Sequence, residues 1–372
     1  MRRWVFNTVL VLCLSLLPKT AGATLLFSGG EDVDFVCAVG GSCGVDTTSG
    51  RFRSAWARSA YQVLGEASDP PVNRFGSPVF TPSSALWVHA QFCTLYINGG
   101  ACVADTSANN QMLRVLDSNG NAALVVRGTG ALGQVKISSR SASGAFTDLV
   151  TCPAAAGLGV WQFDFFVNYS TSGEVALFNN GIQVCDYTGN VTNGDGATTL
   201  NKAEFGSPRV AAGGNNYAGD WSEVIIATTD TRAMSRFTAN TVANGNTVGF
   251  SGTNVCSAIW NATVNNDTNY GYSGTSNTTH ECTIKSSIPA GSYNVLALVM
   301  SARALAGTSG PQHFDFVTRI GGTDYTSDDY APLPAFSNIS NYMQTINPAT
   351  SNPWAVSDFT AAGFNVGEMT KP

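Results

Sequence analysis

Charge is scarce in this sequence. Asp, Glu, Lys and Arg together make up 12% of the 372 residues, about half the share of an ordinary globular protein. The formal net charge is −6, which excludes a chain built around a basic nucleic-acid surface. Histidine is scarcer still. His89, His280 and His313 stand apart from one another, and there is no Cys-x-x-Cys pair, so the donor spacing of a zinc site is missing. Long stretches of helical periodicity are absent, which excludes a fold made of βαβ units. Beyond the first 23 residues no apolar run is long enough to cross a bilayer.

Catalytic signatures are missing as well. Sandwich-type glycoside hydrolases need two carboxylates facing each other across a cleft, usually carried as Glu-x-Asp-x-x-Glu on one strand. No such stretch occurs. Glu174 and Glu204 stand alone, and Asp164 is a single acid on the polar face of its strand, where most carboxylates are simply solvated. The expectation is therefore a protein that is not an enzyme.

What is present points outward from the cell. Arg2 and Arg3, the apolar run Val5 to Leu17 and the small residues Ala21-Gly22-Ala23 have the order of a signal peptide over residues 1–23, with the mature chain starting at Thr24. One of the nine cysteines, Cys13, falls in that segment. The other eight are an even number, as a disulfide framework requires. Their spacing suggests neighbours in sequence: Cys37–Cys43, Cys93–Cys102, Cys152–Cys185 and Cys256–Cys282, each closing a hairpin or loop. The expected location is extracellular, at a cell surface or in a filament or particle.

Strand signals dominate the rest. Trp161, Phe163, Phe165 and Val167 alternate with Gln162, Asp164, Phe166 and Asn168, which predicts a half-buried strand. Asn179-Asn180-Gly181 and Asn119-Gly120 sit between apolar runs and predict tight hairpin turns. Trp221 to Thr228, Thr247 to Ile259 and Tyr293 to Ala304 are further strands, the last apolar enough to be central. Strand content lapses at residues 230–240. The predicted architecture is all-β: a β-sandwich over 24–232 and a second, smaller β-sandwich over 236–372.

Two blocks of residues carry a resemblance. The meander Trp161–Val184 with its Asn-Gly turn, followed by Asp220-Trp221-Ser222-Glu223-Val224, resembles the concanavalin A-like, laminin G-like jelly roll. The block from Arg303 through Phe314–Arg319, Gly321–Tyr325 and Asn347-Pro348-Ala349-Thr350-Ser351-Asn352-Pro353-Trp354 to Asp358–Gly367 resembles the C-terminal domain of two-domain proteins encoded by phages and prophages. Ala355 and Thr360 depart from that pattern. The resemblance implies a structural or adhesive, virion-like protein assembling through its β domains or with other surface and particle proteins. Phage virion parts assemble in the cytosol without a leader and usually without disulfides. The leader-like segment and the cysteines depart from that pattern, so the expectation here is an exported surface protein. The alternative is a lectin-like module for cell-surface glycans, with a glycoside hydrolase behind it. Asn216, Tyr217, Asp220 and Trp221 form the candidate sugar-facing stretch. Glu31, Asp32 and Asp34 are the one acidic group near the amino end that could take calcium, and no other cofactor is expected.

Overall fold

The computed structural model describes residues 8–15, 24–30, 34–37, 43–46, 60–64, 74–96, 101–102, 106–153, 160–207, 217–239, 241–252, 255–256, 270–284 and 293–372. Strand is the dominant element and helix is scarce, and among the described residues every strand pairing is antiparallel. It divides into two compact units, one made of Thr20–Glu31 and Phe35–Ala233, the other of Met1–Lys19, Asp32–Asp34 and Met234–Pro372. The main division therefore falls between Ala233 and Met234, inside the stretch where strand signals lapse.

The first unit is a sandwich. One sheet has seven strands in the order Phe146–Cys152, Val135–Arg140, Ala122–Gly128, Gln111–Asp117, Leu200–Phe205, Phe75–Gly76 and Val36–Cys37. The other runs Ile182–Gly189, Gly173–Asn179, Trp161–Asn168, Ala85–Tyr96, Tyr217–Ala227, Ala60–Leu64 and Cys43–Asp46. Leu25–Gly29 and Ala101–Cys102 are added to it as further pairings, making nine strands. The alternation of the Trp161–Asn168 strand explains the layer between the sheets. Trp161, Phe163, Phe165 and Val167 all point into the core, as do Leu86, Val88, Ala90 and Phe92 of the neighbouring strand. From the facing sheet come Leu113, Val115, Leu124, Val126, Ala203 and Phe205. Burying each such side chain contributes about 1.5–3 kcal/mol. The turn at Asn180 (φ 52°) and Gly181 (φ 78°) has both central residues in the left-handed region, as a type I′ hairpin requires.

Three of the four expected disulfides are present: Cys93–Cys102, Cys152–Cys185 and Cys256–Cys282. The side chains of Cys37 and Cys43 lie outside the described residues. Cys152–Cys185 does more than close a local loop. It joins the edge strand of the seven-stranded sheet to the edge strand of the nine-stranded one. Closing a loop of 33 residues contributes about 3–4 kcal/mol on the chain-entropy account. Such bonds fit an oxidising compartment, the setting of extracellular proteins among others.

The second unit holds a four-stranded sheet, Met234–Ala239, Thr8–Ser15, Asn294–Ala304 and Ser337–Gln344. Beside it is a five-stranded sheet, Thr241–Val248, Thr279–Ile284, Asn365–Lys371, His313–Ile320 and Thr323–Thr326. Asn294–Ala304 is paired on both edges, as its apolar composition predicted. The strand expected over Thr247–Ile259 ends early, at Val248. Gly249 passes so close to Thr278 and Thr279 that a Cβ there would lie 2.4 Å from the Thr278 side chain, and the chain turns at that approach. The Asn347-Pro348…Trp354 motif is a packing corner. Asn347 is buried and accepts from the Ala349 amide, while Trp354 packs on Phe359 and Phe364 and donates to the Gln344 carbonyl at 2.8 Å.

The segment read as a leader also has a structural place. Thr8–Ser15 is a strand inside the four-stranded sheet. A short apolar run serves a leader's core and a buried strand equally well, so periodicity alone does not separate the two.

Candidate functional site

The sandwich of the first unit has two outer faces, and the polar residues of its strands gather there. On the nine-stranded sheet the outward positions of adjacent strands bring His89 opposite Asp164 and Gln91 opposite Gln162. His89 Nδ1 lies 2.8 Å from Asp164 Oδ1. Thr231 Oγ1 donates to the same oxygen at 2.9 Å, and Gln162 Nε2 donates to Asp164 Oδ2 at 2.7 Å and to the Arg232 carbonyl at 2.8 Å. Asp164 Oδ1 already accepts from Thr231, and the Nδ1–H tautomer of His89 donates to the same oxygen. Both members of the pair are 0% exposed. Asp164 is thus the anchor of a closed network and not a solvated acid, which corrects the expectation from the alternation pattern.

The outer face of the seven-stranded sheet is built differently. Register places Glu204, Arg114, Val125, Ser138 and Asp148 side by side on five consecutive strands, a row roughly 19 Å long at the usual strand spacing. Cations crowd both ends. At one end Glu204 meets Arg74 at 2.6 Å, Lys202 at 3.1 Å and Arg114 at 3.5 Å. At the other, Asp148 meets Arg127 at 2.6 Å and Lys136 at 3.0 Å, and accepts from Ser138 Oγ at 2.7 Å. Arg127 also donates to Ser138 and Asn109, and its guanidinium stacks 4.0 Å from the centre of the Phe146 ring, with Arg140 on the same ring at 5.4 Å.

Among the described residues this face therefore carries six cations (Arg74, Arg114, Arg127, Lys136, Arg140 and Lys202) against two carboxylates, on a chain whose net charge is −6. Burial pushes the Glu204 carboxyl up, but Arg114, Arg74 and Lys202 outweigh it and hold the group below its usual range. Burial likewise raises Asp148, and Ser138, Arg127 and Lys136 overcome this to hold it at about 2. Both acids stay ionised at neutral pH, and among the described residues the cations around them outnumber them. The face is also reachable: Lys202 is 28% exposed, Arg74 22% and Lys136 19%.

The residues picked from the sequence are placed elsewhere. Trp221 is fully buried between the sheets against Phe92, Phe163 and Phe205, with its indole nitrogen donating to the Gly206 carbonyl at 2.9 Å. A ring so placed offers no platform to a sugar. The reason is that Tyr217–Ala227 is a central strand and not a loop. Asp220 on that strand is buried too, Tyr217 is placed only by its backbone pairing with Tyr96, and Asn216 lies outside the described residues. Of the proposed calcium ligands, Glu31 and Asp32 lie outside the described residues. Asp34 is fully buried, with Arg236 on one oxygen at 2.9 Å and Ser301 on the other at 2.7 Å. An arginine already fills the place a cation would take. Cys256, His280 and Cys282 gather within 4.8 Å of one another, but the two sulfurs are bonded to each other and supply no thiolates.

The cationic face was missed because its members are spread from residue 74 to residue 202. A signal existed. Leu113-Arg114-Val115 and Val135-Lys136-Ile137 each set a cation between core-facing apolar residues, so successive strands present positive charge on the same side.

No protein-family model and no curated protein matches this sequence, so the phage-type two-domain family suggested by the motifs has no such match behind it. Solved structures of similar fold do exist. An endo-β-1,4-glucuronan lyase from Trichoderma reesei is 11% identical, with a TM-score of 0.38 over 58% of this chain and 98% of that one. The cellulose-induced protein Cip1 is 16% identical, with a TM-score of 0.35 over 54% of this chain and 90% of that one. A carbohydrate esterase from the Shiga toxin-encoding bacteriophage phi24B is 12% identical, with a TM-score of 0.34 over 56% and 100%. At these values the likeness is one of β-sandwich fold and transfers no activity. It does correct the expectation that the chain is not an enzyme. That expectation rested on a missing Glu-x-Asp-x-x-Glu stretch, and with a lyase and an esterase among the similar structures this absence does not separate enzyme from binding protein.

Proposed function

We propose that the first unit is an extracellular carbohydrate-recognition sandwich that holds an acidic polysaccharide across the outer face of its seven-stranded sheet. The observation that carries this reading is the gathering, among the described residues, of six cations around two carboxylates, with Arg74, Lys136 and Lys202 reaching solvent, beside the half-buried ring of Phe146. Carboxylates of a uronate chain find charge-assisted partners there, and a sugar ring finds an aromatic edge. The leader-like segment and the disulfides support an exported protein. The sandwich neighbours that act on or respond to carbohydrate are in keeping with the same class of ligand.

The test is titration of the purified protein with a polyuronate and with a neutral glucan at two salt concentrations, while the polymer is assayed for chain cleavage and ester release. Saturable, salt-sensitive binding of the polyuronate, weakened about tenfold or more in Arg127→Ala/Arg140→Ala, is the expected result. Equal affinity for the neutral glucan, or a double variant that binds as tightly as the parent, overturns the reading.

A further inference from the structure

We propose that the second unit contains a strand-wide slot, and that in the mature protein an N-terminal strand of a second copy fills it. The proposal takes residues 1–23 to be a cleaved leader and is independent of the polysaccharide reading. Thr8–Ser15 occupies the interior of the four-stranded sheet. It pairs with Met234–Ala239 from Leu10↔Ala239 to Ser15↔Met234, and with Asn294–Ala304 from Thr8↔Ala302 to Ser15↔Asn294. Removing it leaves Met234–Ala239 with no neighbour in its sheet and opens one edge of Asn294–Ala304.

The two flanking strands do not simply close over the gap. Asp34 holds Arg236 of one and Ser301 of the other, one on each carboxylate oxygen. All three residues are buried. That bridge spans the position of the intervening strand and keeps its neighbours two strand spacings apart, about 9–10 Å. The vacated slot would then present unpaired amides and carbonyls on both sides, and would expose apolar side chains packed in that sheet, among them Phe237, Leu298 and Val299. Two open edges flanked by apolar side chains are the setting in which a strand from another chain is taken up.

The occupant that fits is Leu25–Gly29 of a second copy. It is the first strand after the predicted cleavage point, and its Leu-Leu-Phe run is apolar. In its own unit, among the described residues, it pairs with Tyr217–Ala227, from Val224↔Gly29 to Ala227↔Leu25, and sets Leu26 and Phe27 in the core there. The slot offers pairing on two sides. Exchange of such a terminal strand between copies gives dimers or, when the exchange does not close on itself, open chains.

The experiment uses the full chain secreted from a host with an oxidising export route. Mass spectrometry gives its N-terminus and light scattering its assembly state, before and after refolding from urea with excess Thr8–Ser15 peptide flanked by lysines. The expected product begins at Thr24, assembles as dimers or longer chains, and refolds as monomers when the peptide is present. A folded monomer beginning at Thr24, a mature protein that keeps residues 1–23, or assembly unchanged by refolding with peptide would each overturn the proposal.

Discussion

The two outer faces of the first unit obey one alternation rule and reach opposite outcomes. On the nine-stranded sheet, His89, Asp164, Gln162 and Thr231 satisfy one another away from solvent. On the seven-stranded sheet, among the described residues, Asp148 and Glu204 are ringed by more cations than carboxylates, and Arg74, Lys136 and Lys202 among those cations reach solvent. The difference lies in exposure and balance, not in residue type. A polar face whose groups are tied into one buried network around Asp164 fixes the strands that carry it. A face whose described cations outnumber its carboxylates, in partial contact with water, is the one on which the polysaccharide proposal rests.

That contrast can be broken most sharply at Asp164. Asp164→Ala removes the acceptor of three buried donors, and unfolding in urea should show a loss of about 3–5 kcal/mol. A loss below about 1 kcal/mol would mean that the network is open to water and that the two faces are alike.

A third buried acid sharpens the same point by lacking a full set of partners. Glu368 Oε1 has no hydrogen bond, and burial pushes the carboxyl from 4.5 up to about 8. Its folded pKa lies above its unfolded one, so the stability it contributes is present below about 4.5 and is lost as pH rises toward 8. His280, its register partner on the next strand, is pushed by burial from 6.5 down to about 4. There the contribution is present above 6.5 and is lost as pH falls toward 4. The two slopes oppose each other between about 4.5 and 6.5, leaving a decline above that range. Glu368→Gln should remove the decline, a gain of about 2–4 kcal/mol at pH 8, read from thermal unfolding across pH. An unchanged profile would show that water reaches Glu368.

On the charged face the effects are smaller. Arg127→Ala/Arg140→Ala should cost about 1.4 kcal/mol of polyuronate binding, the tenfold loss described above. Asp148→Asn is the mildest test. Asp148 is 47% exposed, so solvent screens its ion pairs and its loss should cost less than about 1 kcal/mol. The pairs it makes are present above about 3.8 and fade as pH falls toward 2. The same change adds to the positive surplus, so polyuronate binding measured by calorimetry should tighten. Weaker binding would mean that Asp148 orders the cations rather than competing for them.

The sequence made the framework legible wherever one strand carries its own pattern. Trp161 to Val167 announced a core face, Asn180-Gly181 a hairpin, and the cysteine spacing three bonds that the structure contains. The cationic face was illegible for the opposite reason: it exists only once six segments are laid side by side in register. Trp221 misled because aromatic and polar residues in one short run look the same in an exposed loop and in a central strand. Only pairing on both edges of Tyr217–Ala227 separates the two cases.

The bond between Cys152 and Cys185 has a mechanical meaning. It ties the two sheets at one margin, so a force that peels them apart there must stretch a covalent bond, where elsewhere it would only unzip hydrogen bonds. Failure would begin at the opposite margin, where Val36–Cys37 edges one sheet and Cys43–Asp46 edges the other. The predicted Cys37–Cys43 pair belongs to those same two strands. With both pairs joined, the sandwich would be a closed hoop with no margin from which to tear.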